Sequence, residues 1–177
     1  FSFDAAIWEF YAALMAGARL VIAKPEGHKD PAYLVDLMAE HDITVLQVVP
    51  SLLRALLEEP RLESCTALRR VYCGGEALTL ALQERFFQRM LAELINVYGP
   101  TEATIHTTYW QCQPNEVRSA VPIGHPIDNV QVYVLDSQMN PGPIGVPGEL
   151  HIGGLNVGLG YHNRPELTAE KFLPRRD

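Results

Sequence analysis

Cysteine is scarce in this chain, and its basic residues are too few and too scattered to form a patch. The three cysteines, Cys65, Cys73 and Cys112, are odd in number, far apart and in no metal-ligand spacing. They fit a reducing, cytoplasmic compartment better than a disulfide framework. Fourteen Lys and Arg face 21 Asp and Glu, for a formal net charge of -7. No Lys/Arg cluster is interleaved with aromatics, which argues against nucleic-acid binding. Long apolar runs are missing too. The most hydrophobic stretch, residues 5–22, is interrupted by Glu9 and Arg19 and broken by Gly17. It is too short and too charged to span a membrane, and it lacks the basic start of a signal peptide. Internal repeats and low-complexity tracts are absent. The first residue is Phe1 rather than Met, and the chain stops at Arg175-Arg176-Asp177 straight after a helical pattern. Both ends read as cut, so the chain is expected to be an internal fragment.

What is present is ordinary globular composition, 47% hydrophobic and 20% charged, in 177 residues. That is enough for one good core or two small ones. Asp4 can cap a helix running to about Ala16, closed by a left-handed turn at Gly17. Residues 19–23 read as a short strand. Asp30-Pro31 is a cap followed by a proline at the first helical position, with Leu34, Leu37, Met38 and His41 at helical spacing. Residues 43–49 are expected to be a strand buried on both faces. Helix 51–59, strand 70–73, helix 80–90 and strand 93–97 continue the alternation. The fold class is therefore α/β, a parallel sheet flanked by helices. After Trp110 the character changes. Residues 111–119 are turn-like, 129–135 alternate as a half-exposed strand, and a Pro/Gly-rich loop at 141–148 leads into a strand at 149–152. Only residues 167–172 look helical again. The expected division is residues 1–110, a partial α/β subdomain, and residues 111–177, a partial β-rich one.

Three constellations could carry chemistry. Asn96-Val97-Tyr98-Gly99-Pro100-Thr101-Glu102 presents a ring, a hydroxyl and a carboxylate around a Gly-Pro corner that neither strand nor helix can continue. A ring for a base, a hydroxyl for a phosphate oxygen and a carboxylate for a metal ion would suit a nucleoside triphosphate. A plain turn into a helix, with Thr101 as N-cap and Glu102 favouring the dipole, explains the same residues. In Phe3-Asp4-Ala5-Ala6-Ile7-Trp8, Asp4 and Trp8 lie one helical turn apart with small Ala5 beside them. That suits an ammonium group, although Asp4 as a cap and Trp8 as core is the commoner use. Tyr72-Cys73-Gly74-Gly75-Glu76-Ala77 lies between a strand and a helix, where ligands of parallel sheets bind. The glycine-rich run from Gly148 through Gly153-Gly154 to Gly158-Leu159-Gly160-Tyr161 is neither a Walker loop nor a dinucleotide fingerprint. It reads as a β corner, with His151 as a solvent-facing strand residue.

Taken together and in this order, these segments resemble the adenylation domain of nonribosomal peptide synthetases, an AMP-binding family related to acyl-CoA ligases and luciferases. Phe1-Ser2-Phe3-Asp4-Ala5-Ala6-Ile7-Trp8-Glu9-Phe10 is similar to the family's fourth core motif, and Asn96 to Glu102 to its fifth. Gly148 to Phe172, ending Asn163-Arg164-Pro165-Glu166-Leu167-Thr168-Ala169-Glu170-Lys171-Phe172, is similar to the sixth. The resemblance implies the large domain of an adenylate-forming enzyme. Such an enzyme joins an amino acid to ATP with Mg²⁺, releases pyrophosphate, and passes the acyl group to the phosphopantetheine of a carrier-protein domain. Condensation domains work beside it. By position, Tyr98 would stack on adenine and Asn96 would bond its edge. Gly74, Gly75 and Glu76 would border the adenosine. Thr101 would touch the α-phosphate and Glu102 would hold Mg²⁺, which makes these two the catalytic candidates. Asp4 would pair with the substrate ammonium. The other pocket positions are Ala5, Trp8, Gln47, Val71, Cys73, Val97, Ile105 and His106. The combination of Asp4, Ala5, Trp8 and Gln47 is similar to glutamine-activating domains, so a polar substrate, glutamine or glutamate, is favoured. The opposing reading pairs Gln47 with His106 or with backbone and leaves an aliphatic pocket.

The sixth motif departs from the family's pattern at Gly158-Leu159-Gly160-Tyr161, where Ala-Arg-Gly-Tyr is usual, and at Asn156, where glycine is usual. The family's phosphate loop, ribose-binding aspartate and catalytic lysine have no counterpart within these 177 residues, so the isolated polypeptide is expected to be inactive. Two alternatives stay open, a fragment of an acyl-CoA synthetase and a non-catalytic nucleotide-binding module.

Overall fold

The structure, a computed structural model, describes residues 3–174 of the chain. Phe1 and Ser2 of the first motif, and residues 175–177, lie outside the described residues. The described residues form two compact units, one from residues 3–98 and 108–125, the other from 99–107 and 126–174.

In the first unit, α1 (Ala5–Met15) is followed by α2 (Pro31–Glu40), β1 (Val45–Val48), α3 (Pro50–Leu56), β2 (Arg70–Gly74), α4 (Leu80–Arg89), β3 (Glu93–Tyr98) and β4 (Thr108–Gln111). With β5 (His125–Pro126) the strands make one sheet of order β1-β2-β3-β4-β5. The three strands that alternate with helices pair in parallel, as βαβ units must, and β4 returns antiparallel to β3. The α/β sheet is therefore mixed. Val48, Val71, Cys73 and Leu94 meet Val35 and Met38 of α2, Leu53 and Leu56 of α3 and Leu82 and Phe86 of α4 in one apolar cluster. Caps set two of these helices. The Asp30 carboxylate accepts from the Tyr33 N–H at 3.1 Å, and the Thr79 hydroxyl accepts from the Leu82 N–H at 3.3 Å.

Several sequence-based expectations are corrected. Asp4 precedes α1 but its side chain makes no cap bond. Residues 19–23 form no strand, because a strand exists only through a partner and they pair with none among the described residues. The strand expected at 43–49 shrinks to β1, which is an edge strand with Val45 48% exposed rather than buried on both faces.

The second unit contains β6 (Val130–Leu135), β7 (Glu149–Gly154) and α5 (Pro165–Lys171). β6 and β7 form an antiparallel pair running from Val130 opposite Gly154 to Leu135 opposite Glu149. The Asp136 carboxylate accepts from the N–H groups of Gln138 and Asn140 at 2.8 and 2.9 Å, which shapes the connecting loop and lowers the Asp136 pKa. His151 is half-buried beside Glu149, at 3.8 Å, rather than facing solvent.

Candidate active site

Parallel β1, β2 and β3 end on the same side of the sheet, and the segments that leave β1 and β2 lie where ligands of α/β sheets bind. The register sets Gln47, Tyr72 and Ile95 in one cross-strand row and Val48, Cys73 and Asn96 in the next, on alternate faces. Gly74 and Val97 follow on the Gln47 face. Helix α1 reaches that face, where Trp8 meets Tyr72 edge-on with ring centroids 4.9 Å apart. Tyr72 is absent from the sequence-based site set, although alternation back from Gly74 would have put it there. Ala5 is buried and Asp4 half-buried at the start of the same helix. Because Asp4 does not cap, its carboxylate is not committed to the helix end. The Gln47 amide oxygen is shielded from solvent and takes no hydrogen bond.

Val71 and Cys73 sit elsewhere. Their side chains are 1% and 0% exposed and belong to the apolar cluster on the other face of the sheet. Burial pushes the Cys73 thiol up to about 12, helped by the nearby Cys112 and Glu76, and Cys112 up to about 11.

The Gly74-Gly75 turn is sterically required. A methyl at Gly74 would lie 2.5 Å from the Val97 carbonyl oxygen, and Gly75 has φ +85°. The adjoining Glu76 carboxylate accepts from both the N–H and the hydroxyl of Ser51, at 3.1 and 2.8 Å, at the start of α3. Asn96 is nearly fully buried and donates its amide to the Pro122 carbonyl at 2.8 Å. Tyr98, last in β3, keeps its ring partly exposed.

In the second unit, residues 99–107 form a tight loop. Thr101 opens a three-residue 3-10 turn, Thr101–Ala103, and no α-helix follows, so the turn-into-helix explanation of this corner fails. Gly99 is there because a methyl would fall 2.2 Å from the Ile105 carbonyl oxygen. Thr104 and Ile105 both have positive φ, 51° and 71°. For β-branched residues each such conformation costs about 1–3 kcal/mol. The loop is fastened to residues 156–161. The Gly158 N–H donates to the Glu102 carbonyl at 2.7 Å, and the Tyr161 hydroxyl donates to the Glu102 carboxylate. That bond, then burial, raises the Tyr161 pKa. Asn156 donates its amide to the Ala103 carbonyl at 2.8 Å and accepts at its own carbonyl from the Thr104 hydroxyl at 2.7 Å. Asn156 and Tyr161 had no site role in the sequence-based reading. Asn156 standing where glycine is usual was the one available signal.

Residues 1–162 match the family model of the AMP-binding enzymes. The chain belongs to that family. It is 52% identical over 173 residues to tyrocidine synthase 3 of Brevibacillus parabrevis, which covers 98% of this chain and 3% of that protein. The crystal structure of AB3403, a four-domain nonribosomal peptide synthetase bound to AMP and glycine, superposes with a TM-score of 0.89 at 36% identity, over 98% of this chain and 13% of that one. The AMPPNP-bound form of the synthetase FmoA3 gives a TM-score of 0.90 at 28% identity, covering 97% and 19%. This AMP-binding chain thus spans a small part of the relatives it matches.

Proposed function

We propose that the protein containing this chain activates an amino acid for nonribosomal peptide synthesis. It joins the amino acid to ATP, releases pyrophosphate and delivers the acyl group to a carrier-protein phosphopantetheine, with condensation domains as neighbours. The observation that carries this beyond family membership is Asp4, a half-buried carboxylate that leaves its own helix uncapped. A carboxylate taken from water needs a cation, and an α-ammonium supplies one. A fatty or aryl acid would leave it unpaired, which speaks against the acyl-CoA synthetase reading.

On this reading residues 1–110 carry the amino-acid pocket and adenine site, and residues 111–177 belong to a β-rich subdomain. Tyr98 offers a partly exposed ring for adenine stacking. Gly74 lets the Val97 backbone approach and Gly75 keeps the turn uncrowded, Glu76 would border the adenosine while holding Ser51, and Asn96, anchored by its amide bond to the Pro122 carbonyl, would bond the adenine edge. Thr101 would orient the α-phosphate. Among the described residues no group of three His, Cys, Asp or Glu side chains could hold a metal ion. A single carboxylate such as Glu102 nevertheless fits Mg²⁺, which is commonly bound by one or two carboxylates together with substrate phosphates and water. When bound, the ion neutralises phosphate charge. Ala5, Trp8, Gln47 and Val97 complete the lining near Asp4, and Ile105 and His106 are carried over by position, whereas Val71 and Cys73, packed into the core on the other face of the sheet, drop out.

The unpartnered Gln47 oxygen favours a substrate whose side chain donates a hydrogen bond, glutamine above glutamate. ATP–pyrophosphate exchange by the full-length protein, run against a panel of amino acids, should respond most strongly to glutamine. A preference for valine or leucine removes the glutamine assignment, and no amino-acid dependence removes the function. Asp4→Ala should lower kcat/KM about a hundredfold, the value of a broken buried ion pair worth about 3 kcal/mol.

A further inference from the structure

We propose that Asn156 is a positioning residue that fixes the backbone of residues 103–107 and so sets the placement of Ile105 and His106, two of the positions carried over for the amino-acid pocket. The inference rests on the amino-acid-activating reading above. Two adjacent β-branched residues, Thr104 and Ile105, hold φ values of 51° and 71°. Side chains of this kind leave the left-handed region unless surrounding bonds keep them there. Asn156 supplies bonds on both sides of the pair. Its amide donates to the carbonyl of Ala103, immediately before the pair, at 2.8 Å, and reaches the Thr107 hydroxyl, two residues beyond it, at 3.5 Å. Its main-chain carbonyl receives the Thr104 hydroxyl at 2.7 Å. The Asn156 amide oxygen, in contrast, is buried without a partner. Burying an acceptor unpaired is unfavourable, so the side chain is placed for its donor.

Glu102 is held separately, through the Gly158 N–H and the Tyr161 hydroxyl. Loss of the Asn156 amide should therefore reach Ile105 and His106 and leave Glu102 in place. Glycine at 156 removes both amide bonds while keeping the main-chain carbonyl for Thr104. Aspartate keeps the shape but turns an acceptor toward the Ala103 carbonyl.

The experiment compares Asn156→Gly and Asn156→Asp with the unaltered full-length protein by pyrophosphate exchange and by amide hydrogen exchange. Both variants should raise the KM for the preferred amino acid about tenfold, the worth of one or two hydrogen bonds. The KM for ATP and kcat should stay within about twofold of the original. Amide exchange should quicken at residues 104–107 while the core strands keep their protection. Unchanged exchange at 104–107 in both variants overturns the proposal. So does a parallel rise in both KM values with protection lost throughout, because that marks a general structural role. If the unaltered protein shows no amino-acid-dependent activity, the functional reading fails by itself, and amide exchange at 104–107 still decides whether Asn156 holds the loop.

Discussion

Glycines at two positions show how different constraints arise at the scale of single residues. Gly99 has no positive φ, yet a methyl there would lie 2.2 Å from one backbone oxygen and 2.8 Å from the Cα of His106. Gly17 has φ +65° and nothing within 4 Å. Gly17→Ala should cost only the left-handed backbone, about 1 kcal/mol. Gly99→Ala must displace a loop backbone and should cost about 3 kcal/mol. Denaturant midpoints of the two variants check the order, and equal losses would contradict it. Residue roles were only partly legible in the sequence. The family resemblance assigns pocket positions to Asp4, Trp8 and Gln47, and the structure adds that Asp4 leaves its helix uncapped. Asn156, Ser51 and Tyr161 could not be placed, because their partners at Ala103, Glu76 and Glu102 lie 25 to 59 residues away. Such bonds leave no local pattern.

Elements with internal signals were readable. Helix α2 carries its own cap and N1 proline, and β6 carries a period-two alternation, so both were found close to their observed bounds. Elements defined by a partner were not. Residues 19–23 have none among the described residues, whereas the short β4 becomes a strand only through its pairing from Thr108 opposite Tyr98 to Gln111 opposite Ile95. Helix α3 is seven residues long and begins at Pro50 without a side-chain cap from Val49. Glu76 performs that service from the next βα turn, by accepting from Ser51. Glu76→Ala should therefore destabilise the protein by about 1 kcal/mol, the worth of a cap, whether or not nucleotide is present. Urea unfolding with and without ATP tests this, and a loss confined to the nucleotide-bound protein would assign Glu76 to the ligand alone.

Across the whole molecule, the three cysteines serve as buried thiols. Cys65, Cys73 and Cys112 are all free and buried. The folded Cys73 and Cys112 thiols titrate near 12 and 11 instead of 9. Below pH 9 neither state loses these protons, and stability is independent of them. Between pH 9 and about 12 for Cys73, and between pH 9 and about 11 for Cys112, the unfolded chain releases protons that the folded chain retains, so stability falls as pH rises, by up to about 1.4 kcal/mol per pH unit for each thiol. Melting temperature measured from pH 8 to 11 should drop beyond pH 9, and Cys73→Ala should flatten the decline. Among the described residues no helix is long and apolar enough to cross a membrane. The chain has two tryptophans, and they differ in surroundings. Trp110 lies under the Arg118 guanidinium, whereas Trp8 stands 4.9 Å from Tyr72 on the sheet face that also bears Gln47. Excitation absorbed by Tyr72 passes to Trp8 across that gap. The contact that shapes the proposed amino-acid pocket therefore also gives it an intrinsic fluorophore, and substrate binding can be followed by emission without a label.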